Sequence, residues 1–422
     1  MKIQTHMKSI TLFLLGIFLV GTTCPVSARK KKGVGIHNGP NVSLNIQNKK
    51  KFPPVTYFNL GLLSNYKELN GFSLNAISNV VHFNSNGFQT SGFLNVAGLK
   101  SNGLHIAGLA NLAGRRAYGA RFAGLVNISG KSSYGWHVSG LGNVTGENQR
   151  GFILSGIMNM CSCDASGFHV AGLANIAGDH LQGAAFSGLM NVTGKDMAGI
   201  QLTALMNVVG RDNKGFQLAA LSNVSVNNKG FQLSALSNYS EHNKGLQVSI
   251  ANISNHSDKG AQIGIVNICG DSCARQLGIV NLKPTTKVQM IVSGGNSNRF
   301  NVSARFVNRY VYTQIGAGLN YGDFTDKLSL SGFYRAGLIF PLIPSKLDVS
   351  GDLGYYHIET LDNKKTGCPA RLYALQPRIS LEYHPLKKLG FFVSGGYGWT
   401  RTYKGNHAYD NKPVFEAGII LF

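Results

Sequence analysis

His105, His137 and His169 stand 32 residues apart, a regular recurrence that invites a reading as metal ligands. Cys161-x-Cys163 and Cys269-x-x-x-Cys273 add thiols that could ligate a metal or pair with each other. Neither set builds a site. The histidines belong to a sixteen-residue repeat, so neighbours lie two repeats apart. If each repeat is one layer at strand spacing, that separation is roughly 9–10 Å, whereas a zinc–nitrogen bond is about 2 Å. The cysteines fall in variable connectors and lack further ligands at useful spacing. With Cys368, five follow the leader, so at least one thiol is unpaired within the chain, and the pairing of the others stays open. Gly-x-Ser-x-Gly, His-Glu-x-x-His and a phosphate loop do not occur. Acidic residues in the repeats are sparse, which argues against a paired-carboxylate glycosidase. The expectation is a non-enzymatic chain without metal or cofactor.

The elements that hold these residues are announced by an asparagine. It recurs at Asn79, Asn95, Asn111, Asn127, Asn143, Asn159, Asn175, Asn191, Asn207 and Asn223, then at Asn238, Asn252, Asn267 and Asn281, with Asn65 before the series: fifteen copies. A Gly stands eight residues before the Asn from Gly87, Gly103 and Gly119 through to Gly215, followed in many copies by a large apolar residue such as Phe88 or Phe152. A second Gly at minus three (Gly92, Gly124) gives way later to Ala204, Ala220 and Ala235, so a positive φ is not obligatory there. The unit is Gly-Phe-x-Leu-Ser-Gly-Leu-x-Asn-Val-x-Gly plus four variable residues. Its alternation has the strand period, and its apolar segments are too short and Gly-rich for helices. Two short strands with Gly corners make one coil of a β-solenoid. Phe and Leu ladders are expected inside and Asn at a bend, its amide bonding to the copies above and below. A hairpin array and a membrane barrel with one strand per repeat are the rivals. The barrel is disfavoured because a spanning strand needs about 9–11 residues.

The position six before the Asn, five in the shorter later repeats, carries Gln89, His105, Arg121, His137 and His169, then Gln201, Gln217, Gln232, Gln247 and Gln262. Facing outward, it would form a polar stripe, with Tyr118, Tyr134 and Trp136 nearby, suited to a glycan or a protein; the bland alternative is a solubility face.

Composition and termini place the chain. Hydrophobic residues at 43% and charged residues at 14% exclude disorder. Lys2 and Lys8, the apolar run from Ile10 to Val20 and Val26-Ser27-Ala28 read as a cleaved signal peptide over 1–28. Cys24 lacks the residues expected before a lipidated cysteine. The net charge of +22 is concentrated early: residues 1–51 hold nine Lys/Arg and no acid. The basic arm and cap, 29–56, suits an anionic surface or a solvated tail. Nucleic acid is not expected.

From 283 the pattern changes to eight longer strand candidates, 287–294, 300–307, 310–321, 327–340, 346–359, 371–384, 390–404 and 412–422. Short connectors alternate with mostly longer ones, as in outer-membrane barrels. Tyr373, Leu375, Ile379, Leu381 and Tyr383 share one face, and Gln376, Arg378, Ser380 and Glu382 the other. Charges inside a narrow barrel must pair: Arg335 with Asp348 or Asp352, and Arg378 with Glu382. Pro377 in mid-strand counts against a regular ladder unless it sits at a bulge, and Glu416 is awkward on a lipid face.

The closing Gly418-Ile419-Ile420-Leu421-Phe422 resembles the terminal-strand signal of outer-membrane barrels, which implies that Phe422 is read by an outer-membrane assembly machinery. The last 140 residues resemble small eight-stranded outer-membrane proteins. The repeat over 57–282 resembles that of a surface-repeat family of spirochaetes and Bacteroidota, which implies an envelope location and no assigned activity. The expected fold is thus all-β: a solenoid over 57–282 and an eight-stranded barrel over 283–422. The expected function is an outer-membrane structural or binding protein that meets membrane lipid and a partner such as envelope glycan or protein. A small pore with a periplasmic extension, or a solenoid polysaccharide enzyme, are the alternatives. With eight strands, both barrel ends lie on the periplasmic side.

Overall fold

The unit around Asn127 explains how sixteen residues close on themselves. Ala117, Arg121, Asn127 and Ser129 point inward, and the in–out alternation breaks at Gly119, at Gly124-Leu125 and at Gly130-Lys131. Each break is a corner, so three short walls enclose a narrow interior. Gly119 has φ of 96°, and a Cβ there would lie 2.3 Å from the carbonyl oxygen of Gly103. Only glycine meets both demands.

The computed structural model describes residues 55–257, 259–272, 274–321, 328–361 and 369–422. The expected leader and most of the basic arm, and Cys273 and Cys368, lie outside the described residues. The chain divides into two compact units, one ending at Ser249 and the other running Ile250–Phe422.

In the first unit each coil pairs in parallel with the next. Arg116–Ala123 lies beside Ser132–Ser139, and Val126–Ser129 beside Gly142–Thr145, with Asn127 level with Asn143. The result is a parallel β-solenoid of about 14 turns, of which the last few belong to the second unit. The count falls short of fifteen because Asn65 is not a rung: Ser64 aligns with Asn79, and Asn65 aligns with Val80 and is exposed. The opening coil instead closes the series. Tyr66 donates its hydroxyl to Asn79 Oδ1 at 3.0 Å.

The solenoid is inverted relative to the expectation. Asn, Gln, Ser, Thr and Ala make up most of the interior, with a few larger residues such as Ile153, Leu181, Met197 and Arg121, while the recurring Leu and Phe ladders are outside. Strand parity permits either arrangement. With walls of about four residues, the coil turns its Phe and most of its Leu positions outward, and its interior takes many polar side chains that bond to copies one layer away, as the asparagines do.

The second unit holds the coils from Ile250 to Leu282 and a closed antiparallel barrel. Its eight strands are Lys287–Gly295, Asn298–Asn308, Val311–Tyr321, Ser329–Ile343, Leu347–Thr360, Arg371–Leu386, Leu389–Thr402 and Ala408–Leu421. Closure is made by Met290–Gly295 against Glu416–Leu421. Pro377 sits where pairing to the next strand lapses between Leu375–Trp399 and Arg378–Gly396, so its missing N–H leaves no broken rung. The compact boundary precedes the expected one at 282/283 because the last coil is tied to the barrel's short-turn end. The carbonyls of Ile279 and Asn281 accept from Thr313 Oγ1 at 2.7 Å and Asn308 Nδ2 at 3.1 Å.

Asn143→Ala should cost about 2–4 kcal/mol, because it strands donors and acceptors in the adjacent layers. Asn65→Ala should change stability by less than about 0.5 kcal/mol. Urea unfolding of the full chain, followed through Trp136 in a Trp399→Phe background, would show equal effects if the ladder carried no weight.

Candidate functional site

Three places could hold function: the solenoid interior, the barrel lumen and the outer surface. In the interior, ten successive amide bonds of 2.9–3.0 Å link Asn79 to Asn95 and onward through Asn111, Asn127, Asn143, Asn159, Asn175, Asn191, Asn207 and Asn223 to Asn238. Each Nδ2 gives its other proton to a main-chain carbonyl of the next coil, as Asn127 does to Val138 at 2.9 Å. The expected ladder is therefore present, but in a wall rather than at a bend.

The expected polar stripe is not a surface. Gln201, Gln217, Gln232, Gln247 and Gln262 are all buried. Gln217 donates to Gln201 at 3.0 Å, and Gln232 to Gln217 and Gln247 to Gln232 at 2.9 Å. These residues form a second internal ladder and cannot meet a glycan or protein.

Upstream in the same file lies a cation. Arg121 is fully buried and donates to Ser129 Oγ at 2.6 Å and to the carbonyls of Asn111 and Ile128. No carboxylate pairs with it among the described residues, and burial alone lowers its pKa to about 9. His105 and His137 flank it one coil away on either side. Burial, and then the charge of Arg121, lowers His105 to about 4 and His137 to about 3. Burial also lowers His169 to about 4. These rings are neutral layers of the core, and no group of three or more metal-ligating side chains gathers among the described residues. Where Ala185 interrupts the file between His169 and Gln201, a cavity of about 10 Å³ remains, room for one water molecule.

Cys161 is a buried core residue at the end of the strand Met158–Cys161, not a connector residue. It, Cys163 and Cys269 are free thiols.

Beside buried apolar clusters such as Phe333, Ile358 and Leu372, the barrel lumen holds ion pairs whose partners differ from those expected. Glu382 receives both Arg305 Nη1 and Nη2 at 2.7 Å. Glu416 takes Arg335 at 2.9 Å and also Arg378, with Ser293 on its other oxygen at 2.5 Å. Tyr356 bridges the two arginines. Arg378 thus does not pair with Glu382, nor Arg335 with Asp348 or Asp352. Asp348 meets His384 at 3.1 Å, and Asp352 accepts from Tyr312 at 2.6 Å. Glu416 is inward, with Ile420, so the awkward lipid-facing carboxylate does not exist. The cavity between Arg305, Tyr312, Asp352 and Phe392 has about 10 Å³, too little for a channel. Outward positions are apolar: Val302, Ile315, Leu338, Leu353, Ile379, Val393, Ile419 and others. Exposed aromatics gather towards both strand ends, Tyr310, Phe340, Tyr383 and Phe422 at one, and Tyr355, Trp399, Tyr403 and Tyr409 at the other.

No family model, no curated protein and no solved structure matches this chain.

The outer surface is what sequence reasoning missed. A signal was present: charges cluster in the variable residues after each Asn, and none falls at the outward Phe and Leu positions.

Two outcomes follow. The unfolded chain protonates histidine near pH 6.5, while the folded core keeps His105, His137 and His169 neutral to about pH 4 or below. The unfolded state then binds more protons in that window, so stability should fall as pH drops, by about 1.4 kcal/mol per unit for each ring. His105→Gln, His137→Gln and His169→Gln together should flatten the Trp136-monitored pH profile. In the barrel, Glu416→Gln should cost about 3–5 kcal/mol by leaving two arginines buried without a counter-charge, whereas Asp348→Asn should cost less than about 1 kcal/mol. Thermal unfolding of the full chain distinguishes them.

Proposed function

We propose that the chain is a non-enzymatic cell-envelope protein whose barrel is embedded in an outer membrane and whose repeat array is its structural or binding part. The observation that carries this reading is the barrel's inversion: a continuous apolar exterior around paired internal charges. In water such an exterior would be unfavourable, and in lipid it is required. Strands of nine to sixteen residues suffice to span when tilted, and the two groups of exposed aromatics suit the two interfaces. The terminal Phe422 and the resemblance of the repeat to envelope surface repeats support export and assembly into that membrane. The filled lumen disfavours the pore.

The last coil is bound to the end of the barrel that carries the short turns. In an outer membrane that end faces the periplasm, so the array belongs there, near envelope glycan and periplasmic proteins.

Expression of the full chain in a two-membrane bacterium should place it in the outer-membrane fraction, resistant to carbonate extraction. The repeats should be cleaved by protease only after permeabilisation, and planar bilayers should show no conductance. Recovery as a soluble protein without detergent would refute the reading, and cleavage in intact cells would reverse the orientation.

A further inference from the structure

The three walls of the solenoid differ. The wall before the Gly119 corner carries Arg116 and Tyr118, and with the neighbouring variable turn it holds the unit's external charge. Over residues 55–249 that is eleven Lys/Arg against seven Asp/Glu, with Arg121 buried and not counted. Neighbouring coils pair some of them, as Lys195 does with Asp179 at 2.8 Å and Lys131 with Glu147 at 3.1 Å. The net charge of this face is positive.

The other two walls carry no charge. One presents Phe122, Trp136, Phe168 and Ile200, exposed in successive or nearby coils; the second presents a file that includes Val126, Ile128, Met190 and Val192. They meet along an edge at minus two, where Leu125, Leu141, Ile157, Leu173, Leu189 and Leu205 are each 40–44% exposed. Two walls about 13 Å wide, over ten coil steps of about 4.8 Å, make roughly 1,300 Å² of mostly apolar surface. Water-soluble monomers rarely expose contiguous patches above a few hundred Å². The edge is convex, so a second flat array could cover one wall but not both. A fluid covers both at once, and the basic third face then lies level with anionic headgroups.

We infer that the repeat array is itself a lipid-binding element: a β-solenoid wedge that lies in the membrane interface, its Leu edge and two flanking walls among acyl chains and its basic face at the headgroups. It deepens the membrane reading of the barrel and rests on it, and it identifies the array's partner as bilayer lipid. The buried Asn and Gln ladders satisfy the coil's own polar groups, which contact with hydrocarbon requires.

The chain has two tryptophans, one on each apolar surface: Trp136, 63% exposed on the solenoid wall, and Trp399, 43% exposed on the barrel. Trp399→Phe and Trp136→Phe therefore isolate the two reporters in the full chain. Each variant is reconstituted into phosphatidylcholine–phosphatidylglycerol vesicles with ordinary or brominated acyl chains, bromine quenching tryptophan only on contact. The inference requires Trp136 emission to fall to less than half in brominated vesicles. Adding Leu125→Lys, Leu141→Lys and Ile157→Lys should restore it, and unchanged circular dichroism will show that the coils persist, since these side chains are outside. Quenching of Trp399 with none of Trp136 overturns the inference and leaves the barrel reading intact. If that pattern comes with cross-linked dimers, the walls belong to a second copy. Loss of quenching at Trp399 overturns the barrel reading itself.

Discussion

The amide bridge between one asparagine and the next is the interaction on which the solenoid depends. A coil with three short walls has a narrow interior lined mostly by polar and small side chains, with apolar contacts confined to patches such as Leu181 beside Met197. The hydrophobic effect, which organises most cores, therefore acts inside only locally. Asn supplies a group that donates twice to the coil on one side and accepts from the coil on the other, so each layer satisfies its neighbour. The bond from Asn127 to Asn143 at 2.9 Å and the bond from Asn127 to Val138 O are the same amide serving both purposes. Once the interior is polar, strand alternation places the Leu and Phe positions outside.

The barrel reaches the same inversion by another route. Its interior is wide enough for long side chains, so arginines and glutamates cross the lumen rather than stacking along it. Arg305 reaches Glu382, 77 residues away, and Arg335 and Arg378 converge on Glu416 in the last strand. The coil and the barrel, with unrelated topologies, thus both bury rows of polar side chains and expose rows of apolar ones.

Much of this was legible in the sequence. The sixteen-residue period gave the stacked register of Asn79 to Asn223, and the alternation of Leu375, Ile379 and Leu381 against Arg378 and Glu382 identified the two faces of a barrel strand. What periodicity cannot supply is which parity is inside. That depends on the bore of the closed coil, a property of the whole turn, and it reversed the reading of Gln201 and Gln217. Barrel ion pairs were likewise out of reach, because closure and strand stagger decide which side chains meet. Nearby strands suggested Asp348 and Asp352 for Arg335, whereas closure brought Glu416. Asn65 failed as a rung because the first coil has register irregularities.

A stack of identical parallel layers has open strand edges at its ends, and such edges template fibres. Here the C-terminal end is occupied: the carbonyls of Ile279 and Asn281, which a further layer would engage, are taken by Thr313 and Asn308. Head-to-tail polymerisation needs both ends of the stack, so obstructing one terminates any chain-upon-chain growth at a single join. The barrel thereby acts as a stopper against amyloid-like elongation, and coils could be gained or lost over generations without making the protein a filament.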